Sequence, residues 1–323
     1  MILAGDIGGT KTVLSLLTQD SDGLLSCLKE QSYPSQQFSK FDEILNDFLS
    51  EGQEIASACF GIAGPVVNQR CQTTNLPWLL DGNELKARLN TSKVKLLNDL
   101  EAMALGMKYL PDDDLVELNP NAIPQTGNVA VIAAGTGLGE AILFWDGITY
   151  HPLATEGGHT DFAAQNELQD QLLKYLRKKN PEHVSYERIL AGVGFSNLYD
   201  FLCEEGLGDP CTEVSELTID QDRNAVISRL GVTGEDPCCV QVVRLFVEIY
   251  GAETGNLALK SLSMGGVYIG GGIGPKILIA LQEGSFIAAF KAKGRFLPLL
   301  DTLSVKLSLN PRTPLIGAIH YYL

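Results

Sequence analysis

What this chain of 323 residues is short of narrows the choices first. It has no run of about 18 uninterrupted apolar residues, so a membrane-spanning helix is not expected. It has no cysteine pair spaced C-x-x-C. The seven cysteines, at 27, 59, 71, 203, 211, 238 and 239, are odd in number and scattered. That argues against a zinc knuckle and a disulfide framework, and for reduced thiols. Basic residues are scarce, 24 against 39 acidic ones, and the net charge of −15 disfavours nucleic acid or an anionic membrane as a partner. The amino terminus has neither a basic n-region nor a hydrophobic h-region, so no secretory signal is expected and the cytoplasm is the expected compartment. With 45% hydrophobic residues and no low-complexity tract, the composition is that of a globular protein of about two domains. The acidic balance does not exclude a small phosphorylated ligand, because donors need only be concentrated locally.

What the chain does have is glycine in clusters. The stretch GDIGGTKT (5–12) follows the apolar Ile2-Leu3-Ala4 and leads into Val13-Leu14-Ser15-Leu16-Leu17. A turn at Asp20-Ser21-Asp22-Gly23 and another apolar piece, 24–28, come next. This reads as strand, turn, strand, turn, strand. A Walker loop or a Rossmann fingerprint would open a helix instead, at a spacing that is not present here. The design recurs: the apolar 129–134 runs into Gly135-Thr136-Gly137-Leu138-Gly139 and out through 141–145. A third cluster, Gly270-Gly271-Gly272-Ile273-Gly274, opens a helix with Pro275 in its first turn. Two Gly-Thr hairpins far apart in sequence suggest an internally duplicated α/β architecture with a cleft between its halves.

The spacing predicts a long helix from Asp236-Pro237 to about Leu262, with Val240, Val243, Val247 and Tyr250 on related faces. A second apolar stripe, Leu168, Leu172, Leu173 and Leu176, precedes the basic Arg177-Lys178-Lys179, which suits a helix C-terminus. A boundary is expected at 110–114 and a return near 298–301, since the apolar final stretch 314–322 needs a partner. The expected division is a smaller α/β domain, 1–110 plus about 301–323, and a larger one, 111–300.

Three constellations bear chemistry. Backbone N–H groups at the hairpin tips, with the Thr10 and Thr136 hydroxyls and Lys11, can converge on phosphate, although glycines also simply make tight turns. In LLNDLEAMALG (96–106), Asn98 and Glu101 form a capping-box-like helix start. Equally, Asp99 at a strand end suits a general base, with Asn98 donating and accepting to a sugar diol. Glu156-Gly157-Gly158-His159 puts a carboxylate and an imidazole on a loop made flexible by two glycines. Too few further ligands lie nearby for a metal, and a polyhydroxyl substrate fits better. Glu187 is either a third member of that set or an exposed helix residue.

The stretches GDIGGTKT (5–12), GIAGPV (61–66), TNLPW (74–78), LNDLEAMALG (97–106), AAGTGLG (133–139), EGGHTDF (156–162), YERILAGVGFSNLY (186–199), GNLAL (255–259) and GGVYIGGGI (265–273) together resemble the bacterial glucokinases. These are sugar kinases of the actin-like (ribonuclease-H-like) ATPase superfamily, related to the ROK group. The resemblance implies a two-domain actin-like ATPase fold with an interdomain cleft, ATP-dependent phosphorylation of glucose at its 6-hydroxyl, Mg2+ as cofactor and a homodimer. It implies Asp99 as general base, and Asn98, Asp99, Glu156, His159 and Glu187 as glucose contacts. It further implies Gly5, Asp6, Ile7, Gly8, Gly9, Thr10, Thr136 and Gly137 on the phosphate side, Gly271 and Gly272 toward the adenosine, and Asp6 near magnesium through water.

Lys11-Thr12 is closer to the ROK group. The cysteine-rich zinc motif of that group is absent, and a strand beginning at Ile2 leads us to expect no DNA-reading segment. Alternatives are a kinase for mannose or N-acetylglucosamine, a sugar-sensing regulator, and a dinucleotide oxidoreductase suggested by Gly135-x-Gly137-x-Gly139.

Overall fold

A computed structural model describes residues 1–50 and 52–323. The opening pattern folds as an antiparallel meander of β1 (Ile2–Ile7), β2 (Lys11–Gln19) and β3 (Leu25–Pro34). After it come β4 (Ser57–Ile62), a small ribbon of β5 (Arg70–Gln72) and β6 (Leu79–Asp81), and β7 (Val94–Asn98). The main sheet has the order β3-β2-β1-β4-β7, with β1, β4 and β7 parallel. β4 is buried along its whole length, as a parallel strand covered on both faces must be.

The closing helix Thr313–His320 packs on the helix Asp99–Met107. A Cβ on Gly106 would lie 2.0 Å from the Thr313 carbonyl oxygen, and one on Gly317 would lie 1.8 Å from that of Ala102. Glycine at both places lets the two backbones touch, which is the partner the apolar C-terminal stretch needs.

The rest of the chain supplies β8 (Leu115–Glu117), β9 (Val129–Ala134), β10 (Leu138–Trp145), β11 (Tyr150–Ala154), β12 (Val267–Gly270) and β13 (Val305–Ser308). β9 and β10 form the second Gly-Thr hairpin, and the order continues β9-β12-β13-β8. Two compact units result: residues 1–112 with 150–154 and 310–323, and residues 113–149 with 155–309. β11 joins the first, where Lys108 lies over the Tyr150 ring at 4.9 Å. Residues 301–309 stay in the second, because β13 pairs in parallel with β12. Read from sequence alone, both segments fall with the other unit.

The second unit is built on the helix Pro237–Ser261, capped by Asp236, with its proline in the first turn. This helix is buried on most faces; Tyr250, Glu253 and Thr254 are fully enclosed. Each sequence-read stripe loses its first member. Val240 and Leu168 are both 38% exposed, although their neighbours Cys239 and Gln169 are buried, so each faces outward from its helix. The third glycine cluster opens a 3-10 turn, Gly274–Ile277, before the helix Leu278–Gln282.

The cysteines are all free, but four of them are not scattered in space. Cys203 Sγ lies 3.8 Å from Cys238 Sγ, and the Cys211 and Cys239 thiols meet the Asp236 carboxylate. Burial pushes the Cys238 thiol up to about 12, so it stays protonated. The Asp236 carboxylate already accepts the Cys239 N–H at 2.9 Å, which makes this a satisfied hydrogen-bond cluster. Among the described residues, no helix is long and apolar enough to cross a membrane.

Candidate functional site

In the first unit the register aligns Ile7 with Ile62 and Ile62 with Asn98, so three parallel strands end together. Carboxyl ends of such strands are where α/β folds collect ligands. Asn98 caps the helix Asp99–Met107. Its Oδ1 accepts the Glu101 N–H at 2.7 Å, and Glu101 Oε2 accepts the Asn98 N–H at 2.9 Å. The capping box therefore forms, yet it leaves the Asn98 side-chain NH2 and the Asp99 carboxylate outside it. Structural and functional readings of this segment coexist.

Asp6, half-buried at the end of β1, has its carboxyl pushed up to about 6 by burial and then by the negative charge of Asp99, with Lys11 acting the other way. Two neighbouring carboxylates with one offsetting lysine make a place that favours a cation. This donor set fits a hydrated Mg2+, which binds through one or two carboxylates and keeps several waters.

The tip of the first hairpin is braced by Ser35. Its hydroxyl donates to the Gly8 carbonyl at 2.8 Å and its N–H to the Thr10 carbonyl at 3.0 Å. Thr10 and Lys11 are exposed. Gly5 and Ile7 lie inside the sheet, paired on both sides, and a Cβ on Gly5 would meet Phe60 at 2.7 Å.

In the second unit Thr136 is exposed at the tip of the β9–β10 hairpin, and the Gly135 N–H donates to the Gly137 carbonyl at 2.8 Å. Glu187 lies on a 3-10 turn, Tyr186–Arg188, rather than on an exposed helix. Its Oε2 accepts the Leu138 N–H at 2.9 Å, and its Oε1 is 4.0 Å from His159 Nδ1. Glu187 thus ties the hairpin tip to the 156–159 segment, on which Glu156 and His159 are exposed.

That segment corrects the sequence reading. Gly157–His159 is one tight 3-10 turn, not a flexible loop. A Cβ on Gly157 would lie 2.0 Å from Glu140 Oε2, and one on Gly158 would lie 2.0 Å from the Leu138 carbonyl oxygen. Both glycines are there for close approach. Sequence reasoning passed over Glu140. The available signal was one acid inside the apolar run 138–145.

Gly271 has φ +82, and a Cβ there would be 2.2 Å from the Ala134 carbonyl oxygen, so the third cluster abuts the end of β9. Gly272 is exposed, with open space around it. Alongside opens a groove of about 420 Å³ whose walls include Gly192, Phe195, Asn224, Arg229, Ile273 and Lys276. The Gly192 N–H donates to the Gly135 carbonyl at 2.8 Å, joining this groove to the second hairpin tip. A groove of about 520 Å³ in the first unit, around Lys40, Pro77, Leu79 and Arg88, holds none of the candidate site residues, although Pro77 and Trp78 of TNLPW line it.

A family profile described as Glucokinase matches residues 3–323. A glucokinase of Trichormus variabilis is 40% identical, over 98% of this chain and 97% of its own. A glucokinase of Synechocystis sp. is 39% identical over 98% and 96%. Among solved structures, a glucokinase from an Antarctic psychrotroph superposes with a TM-score of 0.86 at 30% identity, covering 99% of this chain and 98% of that one. A ROK-family glucokinase from Streptomyces griseus, solved with glucose and AMPPNP, is alike in fold at a TM-score of 0.62 and 20% identity, over 99% and 98% of the two chains. The fold shared with these structures is the two-domain actin-like α/β fold.

Proposed function

Because the chain belongs to the glucokinase family, we propose how its residues divide the work of phosphorylating glucose at the 6-hydroxyl with ATP. The protein is an ATP-dependent hexose kinase. Asp99 takes the proton from the attacking hydroxyl. Asn98, Glu156, His159 and Glu187 are the further glucose contacts, their oxygens accepting from sugar hydroxyls and their N–H groups donating. Gly8, Gly9 and Thr10, with Thr136 and Gly137, form the phosphate side, and Gly5, Asp6 and Ile7 hold the first of these tips from the end of β1. Gly271 and Gly272 lie toward the adenosine, for which the adjoining groove offers an apolar wall in Phe195 and Ile273. Asp6 meets Mg2+ through water; when bound with ATP, that ion neutralises phosphate charge.

The observation that carries this reading is that three parallel strands end together, with Asp6 at the end of β1 and Asn98–Asp99 at the end of β7. Phosphoryl transfer asks the protein mainly for positioning and charge stabilisation; a carboxylate on a capped helix start serves the first, by orienting the attacking hydroxyl, and the second falls to cations and N–H donors. Glucose is the preferred sugar over mannose and N-acetylglucosamine. The product enters glycolysis in the cytoplasm, and the enzyme works as a homodimer.

The test is Asp99→Ala. A general base contributes about 10²–10⁴-fold, so kcat falls by at least that range while ATP affinity, read by calorimetry, is kept. Near-normal turnover in a folded variant removes Asp99 from the role. Turnover measured across glucose, mannose and N-acetylglucosamine checks the sugar.

A further inference from the structure

Behind the 156–159 turn lies a pair of carboxyl groups for which the division of labour above has no task. Glu140, on β10, is 2% exposed, and Glu253, on the helix Pro237–Ser261, is 0% exposed. Glu140 Oε1 is buried without a hydrogen-bond partner. Glu253 is well served: Oε1 accepts from Lys260 Nζ at 3.2 Å and Oε2 from Asn256 Nδ2 at 2.8 Å. Asn256 is itself held by Lys293 Nζ at 2.6 Å and donates to Tyr186 Oη at 3.1 Å.

The charged and titratable groups facing the pair are thus Lys260 and Tyr250 on the same helix as Glu253, Lys293 beyond it, and Tyr186 on its 3-10 turn. Among the described residues, Lys260 on Glu253 is the one ammonium in contact with either carboxyl. Two enclosed carboxylates with a single ammonium against them are costly to ionise together. A proton on Glu140 removes the second charge and makes the pair a donor and an acceptor. The Glu140 carboxyl is accordingly pushed up to about 8, by burial first and the charge of Glu253 second, with Lys260 opposing.

The same glutamate is the floor of the turn. Its Oε2 would sit 2.0 Å from a Gly157 Cβ. Its carbonyl accepts from Thr155 Oγ1 at 2.9 Å, and that hydroxyl accepts the Gly157 N–H at 3.2 Å. We propose that Glu140 and Glu253 share one proton and that this singly charged pair is the seat that positions the 156–159 turn for the sugar. Glu140 is a positioning residue, acting through the turn. The inference rests on the reading of Glu156 and His159 as glucose contacts. Ionising Glu140 sets a second buried charge against Glu253 directly beneath Gly157, and the turn must lift to admit water.

The test is the pH profile of the glucose KM. With a group titrating at about 8 and binding confined to the protonated pair, the competent fraction drops from about nine-tenths at pH 7 to about one-tenth at pH 9. The KM then rises about tenfold between those pH values while kcat at saturating glucose holds. Glu140→Gln, permanently neutral and of the same shape, rescues the pH 7 KM that Glu140→Ala raises, and it flattens the alkaline rise. Infrared difference spectra give a second readout: a protonated-carboxyl band in the wild type at pH 7 that Glu140→Gln lacks. A Glu140→Gln enzyme with the full alkaline rise, or with that band intact, overturns the shared proton. Glu156→Ala checks the premise separately. An unchanged glucose KM in that variant sinks the sugar-side reading instead.

Discussion

At the scale of single residues, glycine in this protein has two different jobs that look alike in sequence. Gly158 in EGGH and Gly272 in IGGGI both stand in runs of glycine. A Cβ on Gly158 runs into the Leu138 main chain at 2.0 Å, whereas one on Gly272 meets nothing within 4 Å. Gly158→Ala must therefore displace β10 or the turn. Overpacking of this kind costs about 1–3 kcal/mol, and it should also weaken glucose binding. Gly272→Ala should stay within about 0.5 kcal/mol of the wild type. Urea unfolding of the two variants decides the matter, and equal midpoints would refute the close-approach account. Glu187 teaches a similar lesson. Its chain neighbours give no hint that it accepts the Leu138 N–H, because that partner comes from a strand far away in sequence.

At the scale of elements, start signals proved readable because they are local. Asp236-Pro237 opens a 25-residue helix, with Asp236 accepting the Cys239 N–H at 2.9 Å. Burial alone would raise this carboxyl, but the Cys239 N–H and the Cys239 and Cys211 thiols outweigh it and hold it below its ordinary range. Replacing an N-cap aspartate by alanine costs about 0.5–2 kcal/mol, so Asp236→Ala should lose stability in that range by thermal unfolding. Its glucose and ATP KM values should be those of the wild type, since the cap lies outside every proposed contact. A changed KM would mean that the thiol cluster around Asp236 reaches the site. The Asn98–Glu101 capping box is the contrasting element. There the same helix start that satisfies the backbone also presents Asp99, so stability and chemistry share two adjacent residues.

At the scale of the whole molecule, the chain leaves its first unit at 112, rejoins it for 150–154 and returns to it at 310, so the helix Thr313–His320 and the helix bearing Asp99 belong to one packing unit. At about 100 times its Kd, glucose should stabilise the folded chain by about 2.7 kcal/mol. Calorimetry should show unfolding at a higher temperature with glucose than without, and an unchanged midpoint would contradict binding at the proposed contacts.

The sequence by itself determined the strand–turn–strand units, the third glycine cluster, the long capped helix and the family. Each of these is written in residues adjacent in the chain, or in motifs whose order survives without coordinates. Only the tertiary structure decided that Gly157 and Gly158 are seats rather than hinges, that β11 joins the first unit, that four cysteines meet, and that Glu140 lies against Glu253. The physical reason is common to all four. Steric fit and the ionisation of a buried group depend on which distant segments come within a few ångströms, and no local pattern of polarity or spacing encodes that.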